Sequence, residues 1–487
     1  MTLFTGSEES VHGVPGFVGL KPPFARHSIL ETVSGFDTRW LRQPPVWVEA
    51  AARRRTVTLA ATAFAPDPLP GASYPWLYPS ASYRCVVDGY RHEVAEAQLI
   101  PLPDAAVTVQ IAGQQLAVTS REHLRYICSP AGQWMALPVL RHPEELVPLW
   151  IEMTAGVGVY IARLTKPWVT GPETKEWLWC SAATRLVTQP AHAWPAVLGP
   201  FLGAGIGWHF SRGVLGKGPR LSVAVLEAIT RRVAMFFGDM AVWSLSSYPA
   251  DLVMLYQPAL DEIAHQLFRD ALADWPQGEA ARVVVAVHQE VDRQLGRVLD
   301  LLDEEDTLII SSDHGQTPIG ASLRPNVLLR QAGLLVLKGD KVDLERTHAL
   351  FLSNGWVVIN TTQHRGGRVA PHAYTMTLQD VESCLQSPLR LPHGQSLRLQ
   401  CRRDLWPGTT PPPGDLFVWA PATTELRPHF YGPVYGPPEV GGHHQTSLQA
   451  SPYLQALLAG CGPGLMTRSL PSRNSGVAEL VRQTLAL

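Results

Sequence analysis

The run Ala281–Leu302 constrains the fold of this chain more than any other segment. Its apolar positions Val284, Val287, Val291, Leu295, Val298 and Leu302 recur at steps of three and four, with Arg282, Gln289, Asp292 and Arg293 between them. That spacing belongs to an amphipathic helix with one buried face. Short apolar runs flank it, Asp251–Tyr256 before and Thr307–Ile310 after, and Leu221–Met235 reads as a further helix. Strand, helix, strand in this order predicts an α/β fold in which a helix crosses over between parallel strands.

In open parallel sheets the loops that leave the C-terminal strand ends carry the ligands. The first exit leads to Asp261 and His265, and the second to Asp313 and His314. Farther on, His443 and His444 follow Gly441-Gly442. Each pair alone reads equally as a capping Asp with a surface His. Two such pairs at equivalent strand ends, with a glycine-flanked His downstream, read together as metal ligands. Oxygen and nitrogen donors without thiolate suit a borderline cation. Two such cations side by side are a recurring means of breaking phosphate esters.

The rest of the chain bounds this reading. Residues 1–73 hold a loop-rich start, a short helix Val46–Arg53 and a strand Val57–Ala61 before a proline-rich boundary. Residues 74–215 turn β-prone (Ser82–Asp88, Ala106–Ile111, Trp150–Thr154, Gly156–Leu164) and read as a β-rich insert. Residues 216–487 return to α/β character, with cap-like elements in 318–440, a strand Trp356–Asn360 and closing helices Tyr453–Ala459 and Val477–Leu485. The formal net charge of −2 argues against non-specific nucleic-acid or anionic-membrane binding. No apolar stretch approaches the ~20 residues of a membrane span. The six cysteines are scattered without a Cys-x-x-Cys pair, which suggests buried thiols in a reducing compartment and hence a cytoplasmic protein. The glycine-rich Gly203–Gly218 lacks the P-loop Gly-Lys-Ser/Thr ending. His364, Arg365 and Arg368 read as a turn with solvated charges, with proximity to a substrate phosphate as the rival reading.

The run Asp251–His265, the segment Ser311-Ser312-Asp313-His314-Gly315 and the segment Gly441–Pro463 resemble the type I phosphodiesterase/nucleotide pyrophosphatase family of the alkaline phosphatase superfamily. Val357-Val358-Ile359-Asn360 with Arg365, and Thr5-Gly6 with His12-Gly13, resemble it more weakly. The resemblance covers about 1–65 and 220–487. It implies an alkaline-phosphatase-like parallel-sheet core with helices on both faces, formed by 1–73 and 216–487, and a metal-dependent phosphoric ester hydrolase. Two divalent cations, zinc above all, are implied. Asp261, His265 and a late His would hold the first, His444 being favoured over His443 by its spacing to the Gly-Pro turn. Asp313 and His314 would hold the second. The family completes that second site with an Asp and a Thr or Ser nucleophile, whose phosphorylation gives a covalent intermediate. Both lie upstream of the Thr-Gly segment, so the nucleophile is expected upstream of Met1. Thr2, Thr5 and Thr317 do not stand in its place. The resemblance therefore implies an N-terminally truncated, weakly active chain with a weak second site. A non-catalytic metal-binding relative is the alternative, or a phosphomonoesterase, metal-dependent mutase or sulfatase-type member. The absence of a Cys/Ser-x-Pro-x-Arg segment counts against the sulfatase. The substrate implied is a small phosphodiester or nucleotide-like molecule.

Overall fold

The computed structural model describes all residues except 15, 17, 36–39, 61, 63–82, 87–92, 96–97, 123, 139–148, 155–156, 166–175, 181–182, 186–187, 190–221, 354, 392–395, 407–411, 445–451 and 467. Gly203–Gly218 thus lies outside the described residues. The chain forms two compact units, Trp47–Asp306 and Met1–Val46 with Thr307–Leu487. The β-prone stretch and the Asp261/His265 segment share the first. Among the described residues no helix is long and apolar enough to cross a membrane.

In the 47–306 unit the four buried residues of strand Val57–Ala60 pair in parallel with Leu252–Met254 on one side and Tyr83–Val86 on the other. Asp251 holds this register. Its Oδ2 accepts from Thr56 N and from Thr56 Oγ1, each at 2.7 Å, and these bonds hold its carboxyl below the ordinary value. Helices Val223–Ser247, Ala259–Ala273 and Glu279–Leu299 pack together through Leu226, Ile229, Val233, Phe237, Ile263, Leu267, Val284 and Val287. Ser222 caps the first of them, its Oγ accepting from Val225 N at 3.4 Å. The β-prone stretch forms two antiparallel sheets. One contains Gln98–Leu102, Leu149–Thr154, Val157–Thr165 and Glu176–Cys180; the other is the meander Val107–Ile111, Gln114–Arg121, Leu124–Cys128 and Trp134–Ala136. Period-two alternation decides what each face buries. Val159, Ile161 and Leu178 meet Val109, Leu116 and Ile127 of the meander, whereas Ala162, Leu164, Trp177 and Trp179 face the helices.

In the other unit, strands Ala349–Phe351, Trp356–Ile359, Leu416–Trp419 and Gln400–Arg402 form an antiparallel sheet, which packs with helices Pro325–Gln331 and Tyr374–Gln386 around Phe351, Val357, Val381 and Leu416. Two expectations change here. Strand Leu308–Ser311 does not join the parallel set; its partner among the described residues is Leu458–Cys461, antiparallel. The helix expected at Tyr453–Ala459 is instead a 3-10 turn, Pro452–Leu454, followed by that strand. The Leu- and Ala-rich run has good helix propensity, but the open edge of 308–311 offers it a full ladder, and tertiary pairing overrides a weak local preference. The α/β class holds. In place of a single parallel-sheet core, the described residues show parallel pairing in the three-strand set of the 47–306 unit and between Ala321–Leu323 and Thr424–Leu426 in the other.

Candidate metal centre

In the 307–487 unit, strand Leu308–Ser311 delivers the chain to a turn clamped on the 453–457 segment. Ser312 N donates to Leu457 O at 2.9 Å, Ser312 Oγ accepts from Leu457 N at 2.7 Å, and Gly315 N donates to Leu454 O at 3.2 Å. From the other side Asn474 Nδ2 donates to Asp313 O at 2.6 Å. This clamp fixes two side chains. His314 Nδ1 lies 3.0 Å from Gly315 O, and a carbonyl only accepts, so Nδ1 carries the proton. Nε2 faces Asp313 Oδ2 at 3.3 Å. A cation between the two, either a proton on Nε2 or a metal, would hold them there. A charge-assisted hydrogen bond would sit at about 2.7–2.9 Å. Two donors on one tetrahedral zinc, with bonds of about 2.0–2.1 Å, stand about 3.3 Å apart. The His444 ring stacks on the His314 ring, with centroids 3.6 Å apart and planes 9° from parallel. His443 sits beside it on a strand paired with Thr317, its ring 5.6 Å from that of His444.

Close packing pushes the Asp313 carboxyl up, but the His314 hydrogen bond, the charge of His314 and the Met1 amino group outweigh it and hold the group below its ordinary value. Thr5 is buried, its hydroxyl donating to Met1 O at 3.2 Å. His12 Nδ1 accepts from Val14 N at 3.2 Å, which leaves Nε2–H to donate to Thr2 Oγ1, also at 3.2 Å. Burial, helped by the Met1 amino group, pulls His12 down to about 3. It is a neutral, structural histidine. Thr317 is 3% exposed, so its hydroxyl is not presented for attack.

In the 47–306 unit, strand Leu252–Met254 leads to helix Ala259–Ala273, whose first turn carries Asp261 and whose second carries His265. Residues four apart lie one above the other on a helix. His265 Nε2 stands 3.5 Å from Asp261 Oδ1, and both side chains are partly exposed. This is again an N,O donor pair at the spacing of a shared ion rather than of a short hydrogen bond. The remaining basic turn is structural. Arg365 Nη2 donates to Glu31 Oε2 at 2.6 Å, and Arg368 Nε donates to His348 Nε2 at 3.1 Å. Burial holds His364 below its ordinary value against the pull of Asp415. Sequence reading missed Asn474. It meets Asp313 across 161 residues, and no local pattern marks such a contact.

Residues 1–407 match the family described as type I phosphodiesterase / nucleotide pyrophosphatase. The chain belongs to this family. As a type I phosphodiesterase/nucleotide pyrophosphatase it is a hydrolase. Among solved structures it is similar to murine ectonucleotide pyrophosphatase / phosphodiesterase 5, with 10% identity, a TM-score of 0.45, and coverage of 100% of this chain and 82% of that one. It is also similar to phosphonoacetate hydrolase from Sinorhizobium meliloti 1021 in complex with phosphonoformate, with 12% identity, a TM-score of 0.40, and coverage of 100% and 83%. Neither likeness is close enough to place a residue of this chain. No curated protein matches it. For a type I phosphodiesterase the donor chemistry fits divalent cations. A histidine with a carbonyl on Nδ1 is a usual preparation of a metal ligand, because the outer bond fixes tautomer and ring orientation.

Proposed function

We propose that this chain is a metal-dependent phosphodiesterase or pyrophosphatase acting on small phosphodiester or nucleotide-like substrates. Asp261, His265 and His444 would hold one divalent cation and Asp313 with His314 the other, zinc being the best match to this donor set. The assignment across the two units rests on the family. The observation that supports it most is His314 Nε2 facing Asp313 Oδ2 at 3.3 Å while Gly315 O occupies Nδ1. When bound, the cations would neutralise charge on the phosphoryl oxygens in the transition state.

The chain's own residues prepare that site. Gly315 O orients the His314 ring. The His314 hydrogen bond helps keep Asp313 ionised. Asn474 anchors the Asp313 peptide, and His444 is seated flat on His314. The test is turnover of bis(p-nitrophenyl) phosphate with zinc present, after chelation, and after zinc is restored. Activity should follow the metal, and Asp313→Asn or His314→Ala should lower it by roughly tenfold to a hundredfold or more. Turnover indifferent to chelation would sink the metal reading. Preference for p-nitrophenyl phosphate over the diester would move the activity to monoesters.

A further inference from the structure

A second feature of the 307–487 unit is not used by this chemistry. A cleft of about 500 Å³ is lined by Arg324, His429, Phe430, Tyr431, Gly432 and Glu439, among others. It lies along a ribbon that starts at the histidines. Thr317 pairs with His443, Pro318 with Gly442, Ser322 with Gly436 and Leu323 with Tyr435, and Arg324 N donates to Val434 O at 2.8 Å. Seven residue steps lead from Thr317 to Arg324, a path of about 23 Å at most. The cleft is therefore at the far end of the ribbon from His443.

The charges of the cleft are unevenly paired. Arg427 has Glu425 as a close partner. Glu439 receives His429 Nε2 at 3.0 Å and forms an ion pair with Arg427, whose Nε lies 3.4 Å away without a hydrogen bond, and its backbone N donates to Glu425 Oε1 at 2.7 Å. Arg324 is left with the least. Its side chain is 14% exposed, yet its nearest carboxylate oxygen is 3.6 Å away and its one close acceptor is Pro433 O at 2.8 Å. Among the described residues its Nε is buried without a hydrogen-bond partner, and a buried donor left unpaired is costly. The approach to the guanidinium is kept open by Gly432, at φ +91, where a Cβ would stand 3.1 Å from Arg324 Nη1. Beside it are aromatic walls. Tyr431 is half exposed, with Arg330 5.4 Å over its ring and its hydroxyl bonded to Gly339 O at 2.9 Å. Phe430 and Pro433 extend the apolar surface.

We propose that this cleft binds a small organic anion carrying a planar ring, with the anionic group on Arg324 and the ring against Tyr431 and Phe430. Guanidinium donors suit a carboxylate or phosphate. A cleft of this volume, mostly apolar with a few placed polar groups, is of small-molecule size. In the plainer account Arg324 only clamps the 428–439 loop through Pro433 O. That account leaves Nε and the open approach unexplained.

The test is calorimetric titration of the whole chain with phenyl phosphate in the presence of a chelator, and with inorganic phosphate as the ring-free comparison. Saturable binding at one site is expected for phenyl phosphate, with inorganic phosphate roughly tenfold weaker. Arg324→Gln should weaken phenyl phosphate by roughly tenfold or more and Arg324→Lys by less. Glu439→Gln should tighten it, because the competing carboxylate is gone. His444→Ala should leave it unchanged. Should Arg324→Gln fail to fold, Arg324→Lys and Glu439→Gln carry the test. No saturable binding, equal loss in His444→Ala, or unchanged or weakened affinity in Glu439→Gln would each overturn the proposal.

Discussion

Gly315 has no room for a β-carbon. An added Cβ would stand 2.1 Å from Tyr453 O and 2.9 Å from Gln455 O, both backbone atoms that cannot swing aside. Gly315→Ala should therefore open the turn that carries His314. A loss of about 1–3 kcal/mol in a denaturant melt is expected, together with weaker zinc retention after dialysis. Wild-type stability and metal content in this variant would show that the 453–457 clamp does not set the histidine. His12 makes a second prediction at this scale. Its folded value, about 3, lies below its ordinary 6.5. The stability it contributes is thus whole above pH 6.5 and is lost as pH falls toward 3, because the unfolded chain takes up a proton that the folded chain refuses. The slope is at most about 1.4 kcal/mol per pH unit. Chemical denaturation of wild type and His12→Asn between pH 7.5 and 5 should show a gap that is flat above roughly 6.5 and narrows below it. A gap independent of pH would mean that His12 titrates freely in the fold.

At the scale of elements, helices 223–247 and 279–299 are in close contact where Gly238 meets Gln294. A Cβ on Gly238 would fall 2.2 Å from Gln294 Oε1 and 2.7 Å from its Cδ. Gln294 cannot simply turn away. Its Nε2 donates to Glu290 Oε1 at 2.6 Å, and its Oε1 accepts from Arg297 Nη1 at 2.6 Å. Glu290 itself is 1% exposed and also pairs with Arg293 and Arg231. Propensity alone favours Ala over Gly in a helix by about 1 kcal/mol. Packing should win here, so Gly238→Ala should destabilise by about 1–3 kcal/mol. The double variant Gly238→Ala/Gln294→Ala should recover part of that relative to Gln294→Ala alone, a coupling that a double-mutant cycle reads directly. Additive effects would mean that the two helices are not in contact at this point.

For the molecule as a whole, bound metal should act as a stabilising ligand. Zinc at a hundred times its dissociation constant adds about 2.7 kcal/mol, so chelation should lower the melting midpoint and zinc should restore it. His314→Ala and His265→Ala should each shrink that shift. A melt unmoved by chelator, with no metal found by elemental analysis, would remove the cation from the His314–Asp313 pair and leave a proton there.

Much of the local geometry around Asp261, His265, Asp313 and His314 was legible in the sequence. Helix 279–299 writes its period into Val284, Val287, Val291 and Val298, because a helix with one buried face must repeat every three or four residues. Asp261 and His265 are four apart on a helix, and Asp313 and His314 are adjacent after a strand, so local geometry alone brings each pair together. What the sequence could not contain are the decisions made between distant segments. Leu458–Cys461 became a strand because 308–311 had an edge to fill. His444, rather than His443, stacks on His314 because the ribbon that pairs Thr317 with His443 brings it there. Asn474 and Tyr453 hold the Asp313–Gly315 turn from far along the chain. Periodicity and spacing are properties of neighbours on one element, so a single sequence records them. Register, clamping and the choice between adjacent histidines depend on which backbone edges and side chains meet after folding, and only the tertiary structure sets those.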